Sequence, residues 1–194
     1  MQYIFGITGG TGCGKTTVLN ILSEMGFHVL DCDQLYHNLL KTSVPMLRAI
    51  NTTFPGVVQN GILQRKLLGQ KVFSDKKALG LLNATVWPFV YSAVKQQIDA
   101  AAPQNCAIDA IGLFESGLAD LCTHTIAVTA PTDVRISRLI ARDNISEEYA
   151  ALRIQAQEEN ETFAAKCDIV LDNHFPTQAE FRLYAAKILK ETIL

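Results

Sequence analysis

Gly9-Gly10-Thr11-Gly12-Cys13-Gly14-Lys15-Thr16 follows the apolar run Tyr3-Ile4-Phe5-Gly6-Ile7 and precedes Val18, Leu19, Ile21, Leu22 and Met25 at helical spacing. The stretch matches G-x-x-x-x-G-K-[ST] in full, with a strand pattern before it and a helix pattern after it. Each residue type has a physical reason. Glycines let the backbone curl into a concave loop whose N–H groups point at phosphate oxygens. The helix that starts at the loop adds its dipole to the same anion site. A lysine here reaches the β- and γ-phosphates, and a hydroxyl beside it ligates Mg²⁺. The segment therefore predicts a nucleotide-phosphate cradle from Gly10, Thr11, Gly12, Cys13, Gly14, Lys15, Thr16 and Thr17, with Mg²⁺ accompanying ATP. Cys13, a thiol at a helix N-terminus beside Lys15, is expected to have a lowered pKa and to react with alkylating agents.

Outward from the loop, Gly26 reads as a helix stop, and His28-Val29-Leu30 as a second strand running into Asp31-Cys32-Asp33. Strand, helix and strand within about thirty residues make a βαβ unit, so a parallel sheet is expected. Further strands are read at Cys106–Ile111, Thr125–Thr129 and Ile169–Leu171. A helix is expected over Asp133–Asp143 with Thr132 as N-cap, and another after Ser146. Between them lies a helical stretch with helices at Pro45–Phe54, Leu63–Phe73, Lys76–Asn83 and Phe89–Ala101. The turn signals Pro55-Gly56, Asn60-Gly61 and Trp87-Pro88 separate these. The expected architecture is α/β, a five-stranded parallel sheet flanked by helices. Its core spans 1–40 and 103–194, its lid lies around 135–166, and 41–102 is a helical insertion.

Composition narrows the class. The 194 residues suit one domain carrying a sub-domain. A net charge of −2 excludes a generally basic nucleic-acid binder. That charge is segregated: Lys41 to Ile98 carries +7 and the remainder −9, so the insertion is expected to face something anionic. Five cysteines with no C-x-x-C pair speak against a disulfide framework or a zinc site and for a reducing, cytoplasmic setting. Residues 1–10 lack the basic start of a signal peptide, and no apolar run approaches a membrane span of about 20 residues. Neither nucleic acid, membrane nor an obligate protein partner is expected.

A phosphate loop defines a donor but not an acceptor. Asp109-Ala110-Ile111-Gly112 has a D-x-x-G form, yet no asparagine is followed by lysine, so the guanine-reading N-K-x-D sequence is missing. Asp31 and Asp33 follow the second strand, at the sheet edge where ligands of α/β proteins bind. Asp33 is the candidate to take a hydroxyl proton, and Asp31 the structural member of the pair. Asp109, ending another strand, is a candidate to hold Mg²⁺ with Thr16. Arg135, Arg138 and Arg142 fall within about 60° of one another on a helix, a stripe suited to a lid over triphosphate. Taken alone, these residues leave a nucleoside or nucleotide kinase open beside a kinase for a substrate bearing its own diphosphate. The +7 insertion favours the latter.

Together the motifs resemble the dephospho-CoA kinase family. The resemblance runs over nearly the whole chain: Gly6 to Thr17, Asp31-Cys32-Asp33, Gly61-Ile62-Leu63-Gln64-Arg65 and Val72-Phe73-Ser74-Asp75. It continues through Leu113-Phe114-Glu115-Ser116-Gly117-Leu118, Arg138 to Asp143 and Ala165 to Asn173. It implies ATP-dependent phosphorylation of the ribose 3′-hydroxyl of dephospho-CoA, with Lys15, Asp33, Arg138 and Arg142 catalytic. It further implies Arg65 as an acceptor contact and Asn173 beside the ATP base. The chain departs from the family pattern at Trp87, where His-Pro is typical, at Ile111-Gly112, at Phe163, where many members carry a lid lysine, and at Cys13, where the loop usually has serine.

Overall fold

A computed structural model describes residues 2–72 and 75–193; Phe73 and Ser74 of the Val72–Asp75 motif, and the end of the helix read to Phe73, lie outside them. The central sheet has five parallel strands: β1 (Ile4–Thr8), β2 (His28–Asp31), β5 (Cys106–Asp109), β6 (His124–Thr129) and β7 (Ile169–Asp172). Their order is β2-β5-β1-β6-β7. The chain leaves β1 toward one side for β2 and β5, then crosses to the other for β6 and β7. This makes β1 the switch point, where an open parallel sheet leaves a crevice beyond its strand ends. Register then sets the chemistry at that edge: Ile7 pairs with Asp109, and Asp109 with Asp31.

Both sheet faces are covered, as parallel strands require. On one, α1 (Lys15–Glu24) and α9 (Gln178–Ile193) bury Val18, Leu22, Phe181 and Leu189 against Phe5, Ile7, Val128 and Leu171. The other face packs Leu30 and Ile108 on Val90, Val94 and Ile98. These last three belong to α5 (Lys76–Ala101), one continuous helix of 26 residues. The two helices expected on either side of Trp87-Pro88 are therefore one. Leu82, Val86, Val90, Val94 and Ile98 recur every fourth residue and are all buried. Each stabilises by about 1.5–3 kcal/mol, whereas an interior proline costs about 3 kcal/mol. The stripe wins, and Pro88 sits exposed on the outer side.

Ahead of α5 lie α2 (Cys32–Thr42), α3 (Val44–Thr53) and α4 (Arg65–Val72). They enclose a third apolar cluster of Leu40, Met46, Ile50, Phe54, Leu68, Leu82 and Val86. A two-residue hairpin, β3 (Val58–Gln59) and β4 (Ile62–Leu63), takes up what was read as the start of a helix at Leu63. Asn60 and Gly61 turn it with φ of 50° and 77°, the positive pair that an Asn-Gly hairpin loop uses. After β6 come α6 (Thr132–Asp143), α7 (Glu147–Gln155) and α8 (Asn160–Lys166). α6 and α7 pack on each other through their own small cluster of Leu139, Ala150 and Ile154. Thr132 is the first helical residue rather than the cap. Pro131 precedes it, and no side chain caps that end.

The D-x-D element divides in the same way. Asp31 is the N-cap of α2, its Oδ1 accepting from the Gln34 N–H at 2.9 Å. Asp33 sits inside the first turn, with its side chain left exposed. Asp31→Ala should lower unfolding free energy by about 0.5–2 kcal/mol, whereas Asp33→Ala should leave denaturant unfolding unchanged.

Candidate active site

The glycine loop is built by what grips it from outside. Gly9, Gly12 and Gly14 have φ of 136°, 80° and 110°, values that only glycine adopts without strain. Space is as tight as torsion: a Cβ on Gly10 would stand 2.3 Å from Arg135 Nη2, and one on Gly14 2.5 Å from Asn173 Nδ2. These two side chains clamp the loop. Arg135, only 2% exposed, donates from Nε to the Thr11 carbonyl at 2.9 Å. Asn173 donates from Nδ2 to the Cys13 carbonyl at 2.8 Å. Arg138 Nη1 donates to the Gly12 and Cys13 carbonyls at 3.2 and 3.4 Å, and its Nη2 to Asn173 Oδ1 at 3.0 Å. With the Thr11, Gly12 and Cys13 carbonyls drawn outward, the N–H groups on the same peptides, those of Gly12, Cys13 and Gly14, turn inward.

The three arginines of α6 are therefore not one stripe over one site. Arg135 is buried behind the loop, and Arg138 and Arg142 line the cavity in front of it. Arg142 also pairs with Asp143 at 2.7 Å, and Asp143 accepts from Arg153 of α7 at 2.5 Å. These two guanidiniums hold the Asp143 carboxyl far below the usual carboxylate range. Asn173, expected beside the nucleotide base, is 3% exposed and has both ends of its amide engaged with protein. Thr17, also buried, receives Gln178 Nε2 on its hydroxyl.

Gln157 was missed by the sequence reading. It lies between α7 and α8, and its Oε1 accepts from the Thr11 N–H at 2.7 Å and from Arg135 Nη2 at 3.2 Å. A lone glutamine in a polar connection carries no motif that would have singled it out.

Cys13 corrects its expectation. Its thiol is 0% exposed, and burial pushes its pKa up despite the opposing pull of Arg135 and Lys15. Lys15 does pull the thiol down, as expected, but desolvation outweighs it.

Two cavities open at the carboxyl edge of the sheet. One, of about 570 Å³, is lined by Gly10, Thr11, Gly12, Gly14, Lys15, Thr16, Asp109, Arg138 and Arg142. The other, of about 410 Å³, lies between the sheet and α2, α4 and α5, lined by Tyr36, His37, Arg65, Leu68, Val86 and Trp87 among others. Asp33 and Ile111 line both. Lys15 Nζ donates to the Gly9 carbonyl at 2.7 Å. Burial lowers its pKa, opposed first by the Asp109 carboxylate. Burial likewise raises the Asp109 pKa, against the pull of Lys15. At the rim of the second cavity Arg65, exposed at the start of α4, meets His37 Nδ1 at 3.2 Å.

A hard-cation site fits the first cavity. Thr16 and Asp109 offer oxygen donors, and among the described residues no group of three or more His, Cys, Asp or Glu side chains forms a metal cage. A sparse oxygen set is what Mg²⁺ takes when substrate phosphates and water complete its shell.

A phosphate loop at the switch point of a parallel sheet, with a carboxylate shared by two adjoining cavities, defines a P-loop kinase. The chain belongs to the dephospho-CoA kinase family, whose profile matches residues 3–178. A dephospho-CoA kinase from Enterococcus faecalis is 33% identical over 197 residues, covering 100% of this chain and 98% of the relative. One from Moorella thermoacetica is 36% identical over 164 residues, 81% of this chain and 77% of the relative. Among solved structures, dephospho-CoA kinase from Campylobacter jejuni superposes with a TM-score of 0.69 at 26% identity, over 99% of this chain and 98% of that one.

In native protein Cys13 should resist N-ethylmaleimide with or without nucleotide, and label only after denaturation in guanidinium. Peptide mass spectrometry reads the outcome, and native labelling would contradict the burial.

Proposed function

We propose that this chain transfers the γ-phosphoryl group of ATP to the 3′-hydroxyl of the ribose of dephospho-CoA, giving CoA and ADP, the last step of coenzyme A synthesis. The observation that carries the reading is the position of Asp33, the one carboxylate that lines both cavities. A base there meets the acceptor hydroxyl from one side and the γ-phosphate from the other. Asp33 takes the hydroxyl proton, and the freed oxygen forms a bond to the γ-phosphorus. The bond from that phosphorus to the β–γ bridging oxygen breaks, and ADP leaves with the electron pair. Phosphoryl transfer asks the protein for position and charge rather than covalent chemistry.

The residues divide accordingly. The backbone from Gly10 to Thr17 cradles the phosphates, and Lys15 neutralises the β- and γ-oxygens. Arg138 and Arg142, lining the loop's cavity, face the transferred group. Asn173 acts through the loop and Arg138, to which its amide is bonded. Thr16 and Asp109 would hold Mg²⁺, which when bound spreads the negative charge of the transferring phosphoryl group.

The acceptor enters the second cavity, whose apolar walls accept uncharged parts of the substrate while Arg65 at its rim meets the diphosphate. On this reading residues 41–102 are the acceptor-binding part, 1–40 and 103–194 the nucleotide core, and the segment around 135–166 the lid. No described helix is long and apolar enough to cross a membrane.

ADP release should appear with dephospho-CoA and not with nucleosides or shikimate; turnover of a nucleoside in its place would overturn the assignment. Asp33→Asn should lower kcat by roughly 10²–10⁴-fold with KM for ATP and the melting temperature nearly unchanged, because Asp31 is the residue that caps the helix. Arg65→Ala should raise KM for dephospho-CoA roughly ten- to hundred-fold, the loss of one charge-assisted contact of about 1.5–3 kcal/mol, and spare KM for ATP. An equal rise for both substrates would remove Arg65 from the acceptor site.

A further inference from the structure

Every grip on the glycine loop described above takes a carbonyl, with one exception. Among the described residues, Gln157 is the only side chain that accepts a backbone N–H of the Gly9–Gly14 segment. Thr11 is held on both sides: its N–H, in the Gly10–Thr11 peptide, by Gln157 Oε1 at 2.7 Å, and its carbonyl, in the Thr11–Gly12 peptide, by Arg135 Nε at 2.9 Å. Gln157 and Arg135 are themselves joined at 3.2 Å, which closes a triangle around one residue. The support behind Gln157 is also firm. Its own N–H donates to the Ile154 carbonyl at the end of α7 at 3.1 Å. Three residues on, Asn160 Nδ2 donates to the Ala130 carbonyl at 2.8 Å.

We propose that Gln157 is a positioning residue for ATP, setting the orientation of the Gly10–Thr11 peptide, whose Gly10 carbonyl meets Lys15, and so coupling the connection between α7 and α8 to the shape of the phosphate cradle. The physical need is specific. Glycines flank Thr11 on both sides, and glycine permits backbone rotations that other residues resist. An N–H with no acceptor in a half-buried place seeks one, and rotation of the Gly10–Thr11 peptide would turn the Gly10 carbonyl away from Lys15 Nζ and the Cys13 N–H, from which it accepts at 3.3 and 3.4 Å. Arg135 cannot prevent this alone, because it offers only donors. An acceptor is required, and Gln157 supplies it through Oε1. The other end of its amide makes no protein hydrogen bond among the described residues, so a carboxylate would serve equally well.

This rests on the ATP-binding reading of the loop but not on the identity of the acceptor. The test is therefore titration calorimetry of Mg·ATP without acceptor, followed by steady-state kinetics. Gln157→Leu should weaken ATP binding roughly ten- to hundred-fold and raise KM for ATP in step, with KM for dephospho-CoA within about two-fold. Gln157→Met, which keeps the length without the oxygen, should behave likewise. Gln157→Glu should restore ATP affinity to within about three-fold, since only an acceptor is needed. Unchanged ATP affinity in the leucine and methionine variants would overturn the proposal. So would a glutamate variant as impaired as leucine, or a parallel loss for both substrates, which would mean that Gln157 merely supports the fold.

Discussion

A phosphate cradle is a backbone device, and backbone amides come with carbonyls attached. For the N–H groups of Gly12, Cys13 and Gly14 to converge on an anion, the carbonyls of the same peptides must be held elsewhere. Here a guanidinium, a second guanidinium and a carboxamide, on Arg135, Arg138 and Asn173, take the Thr11, Gly12 and Cys13 carbonyls. Those residues stand on α6 and just after β7, so the cradle exists only where the sheet and α6 have already packed. The glycines then have a second purpose beyond their torsions. Gly10 and Gly14 must lack a Cβ because Arg135 and Asn173 occupy the place it would fill.

The other half of the chemistry depends on strand register. Parallel pairing of β2 with β5 sets Asp31 beside Asp109, and the helix that starts at once after β2 separates the duties of Asp31 and Asp33. One carboxylate is consumed by the helix end that it caps. The other is carried half a turn further on and left exposed where the two cavities meet. A D-x-D sequence on a strand would have put both side chains on one face. At a strand-to-helix junction the same spacing sends them to different tasks.

Much of this was legible in the chain. The parallel sheet followed from short apolar runs separated by helical spacing, and the loop from its glycines and lysine, because both signals are local. The arginines of α6 were found by spacing, but spacing could not tell that Arg135 faces inward behind the loop while Arg138 and Arg142 face the cavity. That is decided by how α6 docks on the sheet. Gln157 left no trace, since its partners are a backbone N–H 146 residues away and a buried guanidinium. The Cys13 thiol was misjudged because burial is a tertiary quantity. The hairpin at Val58–Leu63 escaped because two residues per strand show no period. Trp87-Pro88 was read as a break because proline acts over a few residues, whereas the stripe that overrules it spans Leu82 to Ile98.

That stripe has a consequence for how the family can vary. α5 is a single rod of about 39 Å, seated at one end among α3 and α4 and at the other against β2 and β5. A loop absorbs a gained or lost residue by bulging outward. Inside the Leu82–Ile98 span, one residue more would advance the rod by about 1.5 Å and rotate everything before it by about 100°. The apolar line would then no longer face both clusters at once, and Trp87 would swing out of the cavity that it lines with Asp33. The second cavity is thus gauged by a count of residues in one helix, and lineages that keep the reaction can trade side chains along α5 far more freely than they can change its length.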